Sequence, residues 1–551
     1  MDNIQDAALK EENVHEFASL NTLLIVVILL LCLISSYIIK QYKLYYIPES
    51  AASIFVGTIV GLLARVIYPS TEEIAFLTFD SELFFFLILP PIIFEAGYNV
   101  KKTLFFANFF TLSLYAVFGT LISTFVIGYS VYMIGLLGIV DIDTSSPLEA
   151  LLFGALISAT DPVATLSILG SSGSSIPSSS SSSTSSLSTS SLLSSSSSSS
   201  TSSSLSSSTD INSDPVCYSL VFGESVLNDA VSIVLFKTFE EFKGQKQFSI
   251  GEIFLKFAGV SLGSVFVGIS LGLLNCYLQK HTKMHKYPEY ELSILFLFAY
   301  GSYAFSESLS LSGIMSLFFC GMVMSHYNNY NLSPSSKITA TYMFKSLGTL
   351  CEFYVYLYLG IAIFTGRMAH FNFIFFLLCM IFCFISRAVS IFPLTFIANL
   401  FRKKAISYKM QIMIWFAGLR GAIAFALSNN MPEAHANLYI STTLSIVIFT
   451  TVIVGGLTEP MVNYTGMRRS VSPPPSPDYS MLVSTPDPSD KNEEIIDNGI
   501  ESLESKLNIL IYRFDRQYMQ PLFGTESIET TTTPNPSDTE MVHRSQNSDR
   551  T

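Results

Sequence analysis

Residues 221–236 read VFGESVLNDAVSIVLF, an apolar run broken by four polar side chains, Glu224, Ser225, Asn228 and Asp229. On a helix Ser225 and Asp229 are i,i+4 neighbours, as are Glu224 and Asn228, so the four adjoin within little more than a turn. Ionisable groups inside an apolar span cost several kcal/mol unless paired or hydrated, which makes each a candidate for function. The stretch reads as a membrane-crossing helix that carries a site. The hydroxyl of Ser225 and the carboxylate of Asp229 are hard oxygen ligands able to hold a dehydrated monovalent cation. A proton on the same carboxylate excludes the cation, so one group serves two occupants in turn.

The whole chain has this character. Of its 551 residues 50% are apolar and only 13% charged, with a mean hydropathy of +0.47. Soluble domains carry roughly 25% charged residues, so a large water-soluble enzyme is excluded. Spans of about 20 residues fit a dozen times into this length. The net charge is −12, and residues 462–551 contribute 14 acidic against 8 basic side chains. No basic footprint for nucleic acid exists. The seven cysteines form no CxxC pair and read as small core hydrophobes, with neither a disulfide frame nor a zinc site. HExxH and Walker motifs are absent, and Gly223-Glu224-Ser225 fails as a nucleophile elbow because residue 227 is Leu. No enzyme activity and no cofactor are expected. A TVGYG-type filter is also missing, which disfavours a potassium channel.

Apolar segments lie near 18–40, 48–67, 82–98, 107–137, 147–170, 215–243, 250–280, 289–308, 310–327, 342–366, 371–402, 408–430 and 438–461. The expected fold is an all-α polytopic membrane protein of about thirteen crossings. Lys40 and Lys43, Lys101 and Lys102, Lys280, Lys283 and Lys286, then Arg402, Lys403 and Lys404 fall in alternate loops, and Arg468 and Arg469 follow the last span. By the positive-inside rule the C-terminus is cytoplasmic and the short leader, 1–17, luminal or extracellular. Residues 171–209 are almost pure serine and too apolar-poor to order, so they read as a disordered cytoplasmic insert. After 462 comes a cytoplasmic tail, with a Pro/Ser-rich linker and an amphipathic helix near 493–513 that suits docking to the membrane domain or a regulator.

Few charges remain inside the spans: Glu95, Asp161, Glu224, Asp229, Glu352, Arg387 and Arg420, with Glu307 at a helix end and solvated. In Ser158-Ala159-Thr160-Asp161-Pro162 the proline removes the donor for the Ser158 carbonyl and disfavours helix at Asp161. An acid beside freed carbonyls at mid-membrane is what a cation site needs, and broken helices commonly supply it in transporters. Arg420 in Gly418-Leu419-Arg420-Gly421 must meet a carboxylate, and Glu224 is the natural partner. Arg387 and Glu352 form a further candidate pair. Pro90 and Pro91 break their helix ahead of Glu95, which suggests a kinked helix lining a vestibule.

Five motifs in order, LPPIIFEAGY (89–98), SATDPVATL (158–166), VFGESVLNDAVSIVLF (221–236), FFCGMVMSHYNNYNLSP (318–334) and FAGLRGAIAFAL (416–427), resemble the sodium/proton exchanger family of cation/proton antiporters. The match covers nearly all of 18–461. The tail segment RFDRQYMQPLF (513–523) is similar to that of the Golgi and endosomal branch. The resemblance implies inverted repeats, a core domain moving like an elevator against a dimerisation domain, and a homodimer. It implies Asp229 as the carboxylate for H+ and for Na+ or K+, with Asn228 marking electroneutral exchange and Ser225, Thr160 and Asp161 completing the site. It makes Glu224 and Arg420 a structural ion pair. The different-class alternative is a monovalent cation channel or a transport-dead sensor.

Overall fold

The computed structural model describes residues 23–42, 44, 46–67, 81–100, 102–161, 215–242, 250–365, 367–368, 370–402, 404–432, 435–466 and 513–524. The leader, Pro162 with the rest of 162–170, the serine insert and all but the last residue of the amphipathic helix expected at 493–513 lie outside the described residues. Every regular element described is helical. In chain order they are α1 (Leu23–Tyr42), α2 (Glu49–Ile67), α3 (Ser81–Asn99), α4 (Lys102–Ala107), α5 (Phe109–Leu136), α6 (Leu148–Ser158), α7 (Pro215–Glu241) and α8 (Ile250–His281). There follow α9 (Pro288–Ser308), α10 (Gly313–Asn331), α11 (Pro334–Ala362), α12 (Phe373–Phe401), α13 (Tyr408–Phe416), α14 (Ala422–Ser428), α15 (Ala436–Val454) and α16 (Thr458–Thr465). A short helical segment over 513–523 follows in the tail.

Among the described residues eight helices are long and apolar enough to cross a bilayer, lying within α1, α2, α3, α5, α7, α8, α12 and α15. They make the chain a multi-pass membrane protein. Segments expected at 289–308, 310–327 and 342–366 are helices too, but outside that apolar set. The two expected at 147–170 and 408–430 do not run as continuous helices. α6 stops at Ser158, and 417–421 separates α13 from α14.

The helices pack in two groups. α2 lies along α11, α3 along α10 and α11, and α8 against α9 and α10. On the other side α5 packs on α6 and α12, α6 on α7 and α14, and α14 on α15. The α2–α11 contact is a close backbone approach: a methyl on Gly57 would stand 2.1 Å from the Leu357 carbonyl oxygen, and one on Gly360 2.2 Å from that of Ile54. Only glycine fits there.

Proline chemistry shapes α3 as expected. Pro90 has no N–H for the Phe86 carbonyl, the helix widens into a π-turn over Phe84–Ile88, and the Tyr300 hydroxyl of α9 donates to that carbonyl instead. Glu307 departs from expectation. Instead of facing water alone, it is salt-bridged by Lys237 at 2.8 Å and accepts the N–H of Gly313.

Candidate functional site: carboxylates at two crossed, interrupted helices

The two helix breaks meet. After Ser158 the chain turns extended at Ala159 (φ −56°, ψ 130°), and the Asp161 N–H donates to the Leu419 carbonyl at 2.8 Å. Gly421 passes so close that a methyl on it would lie 2.2 Å from Asp161 Cβ. A helix end leaves its last carbonyls without donors, and Pro162 cannot supply one by its sequence. Arg420 does: its Nη1 donates to the Ser158 carbonyl at 3.0 Å and to Ala159 at 3.4 Å. Its own N–H is taken by Thr450 Oγ1 at 3.2 Å, on α15 where that helix opens into a π-turn.

Arg420 therefore does not pair with Glu224, contrary to the sequence expectation. Glu224 is gripped bidentately by Arg387 of α12, with Nη2–Oε2 at 2.8 Å and a second bond from Nη1 to Oε1. Arg387 is not engaged with Glu352. The physical reason lies in the break at 417–421. Unwinding carries Arg420 onto the carbonyl end of α6, while Gly418 leaves space for the Arg387 side chain, whose Nε would be 2.7 Å from a methyl there. Both arginines are buried; their Nη groups make the bonds described, while the Nε of each has no hydrogen-bond partner among the described residues.

The remaining site residues gather at the same point. Ser225 Oγ donates to the Thr160 carbonyl at 2.7 Å, and Asn228 Nδ2 to Thr160 Oγ1 at 3.0 Å. Thr120 of α5 donates to Asn228 Oδ1 at 2.9 Å, which fixes the amide from both sides. Asp229 sits one residue on, partly accessible where its neighbours are buried. No protein hydrogen bond to its carboxylate is seen among the described residues, and the acids bearing on it are Asp161 and Glu224. Asp161 accepts from the Tyr356 hydroxyl of α11 at 2.5 Å.

Glu95, Pro90 and Pro91 lie apart from this cluster. Glu95 accepts from Asn99 at 3.0 Å and packs against Gly348 of α11. Sequence reasoning missed Thr120 and Tyr356. Thr120 carries no charge to attract notice. Tyr356 is one of three tyrosines at 354, 356 and 358, and the available signal was its i,i+4 spacing from Glu352.

At this point the likenesses to known proteins become informative. The model of the family described as "Sodium/hydrogen exchanger, transmembrane" matches residues 25–179 and 176–464. Sodium/hydrogen exchanger 8 of Homo sapiens is 36% identical over 450 residues, 79% of this chain and 70% of that protein. Sodium/hydrogen exchanger 5 of Arabidopsis thaliana is 33% identical over 463 residues, 81% and 80% of the two chains. The solved sodium proton antiporter MjNhaP1 of Methanocaldococcus jannaschii shares the fold, with TM-score 0.57 at 15% identity over 81% of this chain and 97% of that one. The chain belongs to the sodium/hydrogen exchanger family.

Proposed function

We propose that this protein exchanges Na+ for H+ across a membrane, one for one, at Asp229. The observation that carries the reading is the Asp229 carboxylate, partly accessible and unbonded among the described residues, on the helix whose Ser225 and Asn228 bind Thr160 and with the Asp161 acid bearing on it. A cation finds hard oxygen ligands there, and a proton finds the same carboxylate. The other charges of the cluster have work of their own. Glu224 is neutralised by Arg387, Arg420 closes the end of α6, and the uncharged amide of Asn228 is held between Thr160 and Thr120. One exchangeable charge on α7 gives electroneutral turnover. K+ suits the same ligand type and is the second substrate.

The resemblance extends the reading to an antiporter domain of thirteen crossings over 18–461 with inverted repeats. The segments whose helix stops at the crossing are the fifth and twelfth of those, corresponding positions that suit two inverted halves. We take the group around α2, α3, α8, α10 and α11 as the dimerisation domain of a homodimer and the group around the crossing as the moving core. The lysine pattern supports a cytoplasmic C-terminal tail, open to a regulator, and the 513–523 motif supports a Golgi or endosomal membrane, with regulation of luminal pH as the outcome.

The test is purified protein in proteoliposomes holding a pH dye. A Na+ gradient should drive proton flux that is unchanged when the membrane potential is clamped at different values. Potential-driven Na+ current without proton flux would assign a channel, and no flux of either ion a sensor.

A further inference from the structure

Tyr356 belongs to α11, which packs along α2 and α3, yet its hydroxyl reaches the extended segment of the other helix group and donates to Asp161 Oδ2. Both ends of that bond are fixed independently. On α11, Gly348, Glu352, Tyr356 and Gly360 recur at four-residue intervals and share one face. Glu95 of α3 fills the space at Gly348, and the α2 backbone fills that at Gly360, so the face cannot rotate. The Tyr356 ring is 4% exposed. Asp161 is fixed by its N–H bond to Leu419 and by the close passage of Gly421.

We propose that Tyr356 is a positioning residue for cation binding: it holds the Asp161 carboxylate beside Asp229, so that both acids face one cation. This rests on the exchange reading above. The charged groups around the bond are Asp229 and Glu224 of α7, Glu352 of α11, Arg387 of α12 and Arg420 at the crossing. Among them a phenol is a fitting donor. It orients the carboxylate without neutralising it, whereas a lysine or arginine at 356 would put a resident cation where the transported one must go. The bond also ties the two helix groups in this conformation.

Tyr356→Phe keeps the ring and removes the donor. In proteoliposomes the apparent KM for Na+ should rise about tenfold while the maximal rate stays within twofold of the unmodified protein or exceeds it, the order expected when a bond to a charged group is lost. Na+-dependent thermal stabilisation of the purified variant should move to about tenfold higher Na+, a readout that needs no transport. In an Asp161→Asn background the added Tyr356→Phe change should shift this stabilisation no further. An unchanged KM, a loss confined to the maximal rate, or a full further shift in the Asp161→Asn background would overturn the assignment. A Tyr356→Phe result like the unmodified protein leaves exchange itself intact, whereas an active Asp229→Asn variant would remove the reading beneath it.

Discussion

The α2–α11 contact and the crossing of 158–161 with 417–421 both bring backbone close to backbone, by opposite means. At the first, two regular helices meet where Gly57 and Gly360 leave no side chain between them. At the second, the helices stop, and the freed backbone is closed by a buried arginine, a threonine hydroxyl and one inter-segment hydrogen bond. The first contact is defined by space and the second by hydrogen bonds. Non-helical backbone at membrane depth is tolerated only where protein or a hydrated cavity satisfies it, so the crossing gathers polar groups around it, while the glycine contact gathers none.

Variants should fail differently at the two places. The largest effect is expected at the buried pair beside the crossing. Arg387→Ala strands Glu224 and should cost roughly 3–5 kcal/mol, seen as a large fall in melting temperature and monodisperse yield. A double-mutant cycle should show Glu224 coupled strongly to Arg387 and little to Arg420. Strong coupling to Arg420 instead would contradict the observed partners. Next comes Arg420→Ala, which removes the donor to the Ser158 and Ala159 carbonyls and should cost about 3 kcal/mol. Gly57→Ala follows: overpacking the α2–α11 contact should cost roughly 1–3 kcal/mol in thermal stability, with the Na+ KM unchanged in what folds. A changed KM there would erase the distinction between the two places.

The smallest effect is expected at the tail, far from both. Asp515 accepts from Tyr327 and lies 3.2 Å from His326 Nε2, while Lys280 donates to the carbonyls of Pro521 and Gly524. Burial alone would raise the Asp515 carboxyl, but the bonds from His326 and Tyr327 outweigh it and hold the group below its usual value. A depressed folded value means that the contribution to docking is present above the free aspartate range near about 3.9 and is lost as pH falls through the lower docked value. Asp515→Asn should therefore loosen docking at neutral pH by about 1 kcal/mol or less, visible as faster amide exchange over 513–524. Unchanged exchange would mean the carboxylate does not hold the tail.

Much of this was legible in the residues. The i,i+4 spacing of Ser225 with Asp229, and Pro162 after Asp161, marked each helix as a candidate on its own, and only the family resemblance placed the two together. What the sequence could not show was which arginine meets Glu224, because the answer depends on where 417–421 unwinds. Gly418 and Gly421 lie close to Arg420, but glycines are also common in packed membrane helices, as Gly57 and Gly360 show, so 408–430 read as one span. Tyr356 was hidden for a related reason. Its role comes from a contact between helix groups about 195 residues apart in sequence, which no local pattern encodes.

The central claim is that Asp229 is the group that takes a cation and a proton in turn. Asp229→Asn preserves shape and removes the charge. In proteoliposomes under a Na+ gradient the account predicts no proton flux from this variant, with melting temperature and oligomer profile close to those of the unmodified protein. Sodium-driven proton flux persisting in a folded Asp229→Asn protein would contradict it.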